Sequence, residues 1–181
     1  MNMALNDTVR SEIKGDLSLI SRIAMYIPGY RGYRERNLRR DEDRAVRGEL
    51  ARFIDGIKGD LAEAQRELAM SNPDLMMEVE RIRTKVDRYH TDVKKAVNGY
   101  SGFHDSVKIT TEDLDRVVEW DGKLVGDIDD LRQITTAVLE KTDDGSLTKA
   151  DLRGTEKLLD RMIEDYAARD SVMKGFAKEG E

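Results

Sequence analysis

Apolar residues recur at steps of three and four along most of this chain, and no stretch alternates residue by residue as a strand would. Val9, Ile13, Leu17, Ile20, Ala24 and Ile27 share one face of a first helix over about 7–27, widened by Ile23 and capped by Asn6 or Asp7. Ile27-Pro28 stops it, because a residue before proline is pushed out of the α region. Gly29 and Gly32 admit positive φ, so 28–33 is a turn. A second helix follows over about 34–70, with Val46, Leu50, Ile54, Ile57, Leu61, Ala64 and Leu68 in its seam and Phe53 beside it. Gly48, Gly56 and Gly59 each cost about 1 kcal/mol relative to alanine there. They imply a neighbouring helix at close approach, or a bend.

Ser71-Asn72-Pro73-Asp74 stops one helix and starts another, with Ser71 or Asn72 as cap, proline in the first turn and Asp74 at the positive end of the dipole. So short a link predicts an antiparallel hairpin. Helix three, about 73–98, carries the cleanest seam: Leu75, Val79, Ile82, Val86, Tyr89, Val93 and Ala96. A looser glycine- and aromatic-bearing segment, 98–110, separates it from helix four, about 111–141, capped by Thr110 or Thr111. Leu114, Val117, Leu124, Ile128, Leu131 and Val138 form that seam, and Asp121 interrupts it beside Trp120. The last helix covers about 148–177, with Leu152, Leu159, Met162, Ile163, Tyr166, Met173 and Phe176 inward and Thr148/Asp151 at capping-box spacing.

These periods predict one all-α domain over 1–181. It is a four- or five-helix up-and-down bundle with coiled-coil-like seams and the 34–98 hairpin as its longest part. Charged residues make up 38% of the chain and hydrophobic ones 39%, a balance suited to long solvated helices. Narrow seams of this kind also suit a homodimer. With no cysteine there is no disulfide framework, thiol catalysis or thiolate metal site, which fits a cytoplasmic protein. No apolar run approaches the roughly 20 residues that span a bilayer, and the N-terminus lacks a signal pattern.

One stretch departs from helix-making. In YIPGYRGYRERNLRRDEDRAVR, residues 26–47, Tyr26, Tyr30 and Tyr33 precede Arg31, Arg34, Arg36, Arg39, Arg40, Arg44 and Arg47 or interleave with them. Seven arginines against Glu35, Asp41, Glu42 and Asp43 leave residues 31–47 at +3 in a chain of −6. Guanidinium groups give planar, bidentate donors and stack on aromatic faces, and a helix N-terminus adds free N–H groups. The residues Tyr26, Tyr30, Arg31, Tyr33, Arg34, Arg36, Arg39, Arg40 and Arg44 are therefore the candidate surface for an acidic protein partner or an anionic ligand, converging on a common recess. The competing reading packs the tyrosines at the end of the bundle and pairs the arginines with the four acids on a solvated face. Residues 27–40, IPGYRGYRERNLRR, resemble a PGYxGY-(R/K)E-type motif of small uncharacterised prokaryotic helical proteins. That resemblance is short and implies no activity.

The remaining chemistry is sparse. Residues Glu140 to Asp151 resemble half of an EF-hand calcium loop, with Gly145 sixth and Leu147 eighth. Glu140 and Asp151 depart from the usual first and last ligands, and a capped turn explains the same residues. His90 and His104 lack a second histidine at helical spacing, so no zinc site is expected, nor any cofactor. Asp121 is expected to turn to solvent through a local phase shift, because an unpaired buried carboxylate is costly. Asp127, Asp129 and Asp130 read as surface. No nucleophile–base pair or phosphate loop is present, which leads to a non-enzymatic interaction protein. The alternatives are membrane-surface association through helix one and the basic segment, and an enzyme acting on a phosphorylated small molecule. Nucleic acid is disfavoured by the net charge and the interspersed acids.

Overall fold

The computed structural model describes residues 19–35, 39–95 and 110–178, and within them are five helices and no strand. They are α1 (19–26), α2 (Arg39–Ser71), α3 (Pro73–Lys95), α4 (Thr111–Asp143) and α5 (Lys149–Lys178). The seams read from the apolar spacing are the buried faces of α2 to α5, from Val46 through Leu68, Leu75 through Val93, Leu114 through Val138 and Leu152 through Met173. The first helix before residue 19, with its expected cap, and the 98–109 loop lie outside the described residues.

Cross-helix pairs fix the topology. Lys58 reaches Asp87 at 2.8 Å and Gln65 bonds Glu80, so α2 and α3 are antiparallel. Lys141–Asp151 at 2.5 Å and Lys123–Asp165 at 2.6 Å make α4 and α5 a second antiparallel hairpin. Arg81–Glu156 and Lys85–Asp160, both 2.7 Å, align α3 parallel to α5. The helices pack in the ring α2–α3–α5–α4, an up-and-down bundle. Local caps hold the joints. Asn72 accepts the Leu75 N–H at 3.2 Å. Thr110 with Asp113, and Thr148 with Asp151, form reciprocal capping boxes. The Asp151 carboxylate that a calcium loop would turn inward thus caps α5 and pairs with Lys141, while Asp144 accepts the Ser146 N–H at 2.8 Å.

One expectation needs correcting. Among the described residues α2 covers Arg39–Ser71, and Arg34 and Glu35, the expected start of that helix, are not helical. The chain stays irregular through Glu35, because Tyr33 has a φ of +61° and cannot join a right-handed helix. Of the two readings left open for Gly48, Gly56 and Gly59, close helix approach is not what the structure has, since a Cβ at any of them meets nothing within 4 Å. The tight contacts are elsewhere. A Cβ at Gly122 would lie 2.5 Å from Leu19 Cδ1, and one at Gly32 would lie 2.8 Å from Ile20 Cδ1 and 3.3 Å from Val118 Cγ2. These two glycines let α1 lie against α4 and the 28–35 turn, with the Tyr26 ring edge-on to Phe53 of α2.

Candidate functional site

The turn after α1 is built around one carboxylate. Glu42, in the first turn of α2, accepts the Arg31 N–H at 2.9 Å through Oε1 and the Tyr33 N–H through Oε2. Arg39 Nε donates to the Tyr33 carbonyl at 2.9 Å. Both backbone polar groups of Tyr33 are thereby satisfied, which helps offset a left-handed φ that costs a non-glycine residue roughly 1–2 kcal/mol. Burial raises the Glu42 pKa, and the two backbone donors pull it back down.

That backbone aims Tyr30 and Tyr33 into the bundle. Their rings meet edge to face at 5.8 Å, and their hydroxyls donate to Asp121 Oδ2 at 2.9 and 2.8 Å. Arg169, in α5, donates from Nε to Asp121 Oδ1 at 2.5 Å and from Nη2 to the Tyr33 hydroxyl at 2.8 Å. Its Nη2 also lies 3.0 Å from Asp43 Oδ1, and Asp43 pairs with Arg47 one turn along α2. Asp121 and Arg169 are both 0% exposed. Two carboxylates, two guanidinium groups and two phenols are thus closed on one another with balanced charge. Burial first, and the Asp121 charge second, hold both phenols far above their ordinary pKa. Burial opposes the Arg169 charge, yet Asp121 and Tyr33 together raise its pKa and keep it cationic.

Asp121 therefore does not turn to solvent. Val117 and Leu124 stay buried on either side of it, so the seam keeps its phase and the carboxylate is paired inside. Asp127, expected at the surface, is buried as well, and Asp43 and Glu42 leave the solvated face on which they were placed.

The candidate residues divide by direction. Tyr30 and Tyr33 are core, while Tyr26 is half-buried with its hydroxyl 3.4 Å from Asp129 Oδ2. Arg31 is exposed and paired with Glu35, and Arg44 is exposed 3.7 Å from Asp41. Arg39 is tied to the turn, and Arg36 lies outside the described residues. Arg34 and Arg40 are exposed with no acidic partner among the described residues. A recess of about 200 Å³ beside the turn is lined by Ile27, Pro28, Tyr30, Arg31, Asp41 and Glu42, among others. It holds one arginine against two acids, so the guanidinium groups do not converge on it.

Arg169 escaped the sequence reading, and Asp43 and Arg47 were read as members of the charge run and not as a buried pair, though a signal existed. Arg169 sits in its seam between Tyr166 and Met173 as Asp121 sits between Val117 and Leu124, and Asp43 lies one step before Val46. Opposite charges at seam positions of different helices mark a buried pair. Among the described residues no helix is long and apolar enough to cross a membrane, and no group of three acidic, histidine or cysteine side chains could hold a metal ion. Compared with protein-family models, with curated proteins and with solved structures, the chain finds no match.

Proposed function

We propose that this protein is a non-enzymatic interaction module that presents Arg31, Arg34, Arg40 and Arg44 to an acidic surface of a partner protein. The observation that carries this reading is the exposure of Arg34 and Arg40, without acidic partners among the described residues, around a turn whose backbone is held by Glu42 and by the two buried phenols. A preorganised turn loses little entropy when it docks, so a modest charge contact yields more net affinity. A macromolecular acid suits this arrangement better than a small anion, because of the four arginines only Arg31 lines the recess, where it stands against two acids. The membrane alternative needs the apolar face of α1, but Ile23 and Ile27 are buried and Leu19 rests over Gly122.

The test is retention on immobilised polyglutamate as a function of salt, comparing the wild-type chain with Arg34→Gln/Arg40→Gln. Exposed charge pairs contribute about 0.2–1 kcal/mol each, so the double variant should bind several-fold more weakly with a shallower salt dependence. Equal retention of the two proteins would sink the proposal. Flotation with anionic vesicles at low salt, or a melting shift in inorganic phosphate, lost in the same variant while polyglutamate retention is unchanged, would favour the alternatives.

A further inference from the structure

A second polar cluster lies between α4 and α5, apart from the Tyr/Arg segment. Asp127 and Asp165 lie close enough across the two helices to interact, and both are more than nine-tenths buried. Each has one oxygen neutralised from its outer side: Arg161 Nη2 donates to Asp127 Oδ1 at 2.7 Å, and Lys123 Nζ donates to Asp165 Oδ1 at 2.6 Å. The other oxygen of each, Oδ2, is buried with no donor. From α3 the Tyr89 hydroxyl, on a ring 1% exposed, is likewise buried and unpartnered.

We propose that Asp127 and Asp165 share one proton between their inner oxygens, which makes the α4–α5 seam a proton-binding site. With both groups ionised, two inward-facing oxygens are left without a donor and repel in a poorly solvated space. Each orphaned buried acceptor of that kind is destabilising. One proton, taken from solvent and returned to it on release, turns the pair into a carboxyl–carboxylate hydrogen bond and satisfies both oxygens. The groups around the pair do not remove the need for it. Lys123 on α4 and Arg161 on α5 are half-exposed and engage the outer oxygens, and Asp130 adds negative charge 3.9 Å from Arg161. Tyr89 from α3 is a neutral phenol, Tyr166 and Arg169 come from α5, and from α2 Arg47 acts on Tyr166. In keeping with the geometry, burial and then the neighbouring Asp165 carboxyl raise the Asp127 pKa, despite Arg161. The sign follows. A raised folded pKa contributes stability fully present below the ordinary carboxylate value, near 4, and lost as pH rises through the folded value.

The experiment measures proton uptake on folding and urea stability against pH, for the full chain and for Asp127→Asn. The asparagine amide donates permanently to Asp165 and mimics the loaded state. Wild type should take up about one proton more than the variant as it folds in weak acid, and should lose stability relative to the variant as pH rises. Side-chain carboxyl NMR of the wild-type protein reads the same event without a mutation, as linked titration of Asp127 and Asp165. Independent titration of both at ordinary carboxylate values would overturn the proposal, as would parallel stability profiles. So would stabilisation of the wild type at neutral pH by added magnesium that Asp127→Asn lacks, because the inner oxygens would then hold a cation.

Discussion

Arg169→Met isolates the guanidinium at the centre of the buried array. Methionine keeps most of the aliphatic stem, so little packing is lost. What disappears is the donor to Asp121 at 2.5 Å and to the Tyr33 hydroxyl at 2.8 Å, and the cation 3.0 Å from Asp43. Asp43 retains Arg47, but Asp121 keeps only two neutral phenols and becomes an uncompensated charge in a fully buried position. Breaking a buried ion pair from one side typically removes about 3–5 kcal/mol, a large part of the total of roughly 5–15 kcal/mol for a domain. At about 2–4 °C per kcal/mol for a chain of this length, the melting temperature should fall by roughly 6–20 °C. Urea unfolding followed by circular dichroism should show a lower midpoint with an unchanged slope. Adding Asp121→Asn removes the stranded charge while keeping an acceptor for the phenols, and should recover about 1–3 kcal/mol. A single-variant loss under about 1 kcal/mol, or a double variant whose loss equals the sum of the singles, would refute the idea that this charge pair is what locks the turn.

Three further outcomes follow from the same geometry. Gly29→Ala and Gly32→Ala both place a side chain at positive φ, a strain of about 1–2 kcal/mol. Only Gly32→Ala also drives a Cβ into Ile20 and Val118, so it should unfold at clearly lower urea than Gly29→Ala, and equal midpoints would contradict the packing. Gly122→Val should push Leu19 off α4, and hydrogen exchange at residues 19–26 should rise while α2–α3 amides stay protected. Finally, Asp151 is held down to about 2, chiefly by hydrogen bonding to Lys141 and then by Thr148. A depressed folded pKa contributes stability present above the ordinary carboxylate value and lost as pH falls toward about 2. Asp151→Asn should therefore weaken the protein at neutral pH and flatten its acid limb, and an unchanged limb in urea titrations would count against the cap.

The bundle was legible because its signal is repeated. Leu75, Val79, Ile82, Val86 and Val93 all report the same face, so a single misplaced residue changes nothing. Caps were legible to within one residue, as Ser71 or Asn72, Thr110 or Thr111, and Thr148, since capping is local and needs only residues three apart. The Tyr/Arg segment was found as unusual, yet its inner half was misjudged. Whether Asp121 is buried depends on Arg169, which lies 48 positions away on another helix, and periodicity within one helix cannot supply a partner. The start of α2 slipped for a related reason. Arg34 and Glu35 are good helix formers, but the Glu42 carboxylate claims the backbone of Arg31 and Tyr33 and holds the chain open ahead of them.

The bond from Arg169 to the Tyr33 hydroxyl joins groups 136 positions apart. A nascent chain leaves the ribosome amino end first, so the phenols of 30 and 33 are made long before the guanidinium that completes their setting. Until α5 emerges and docks, Asp121 has no cation from that helix. The helix made after the others thus supplies the cation for a carboxylate and two phenols contributed by α4 and the 28–35 turn.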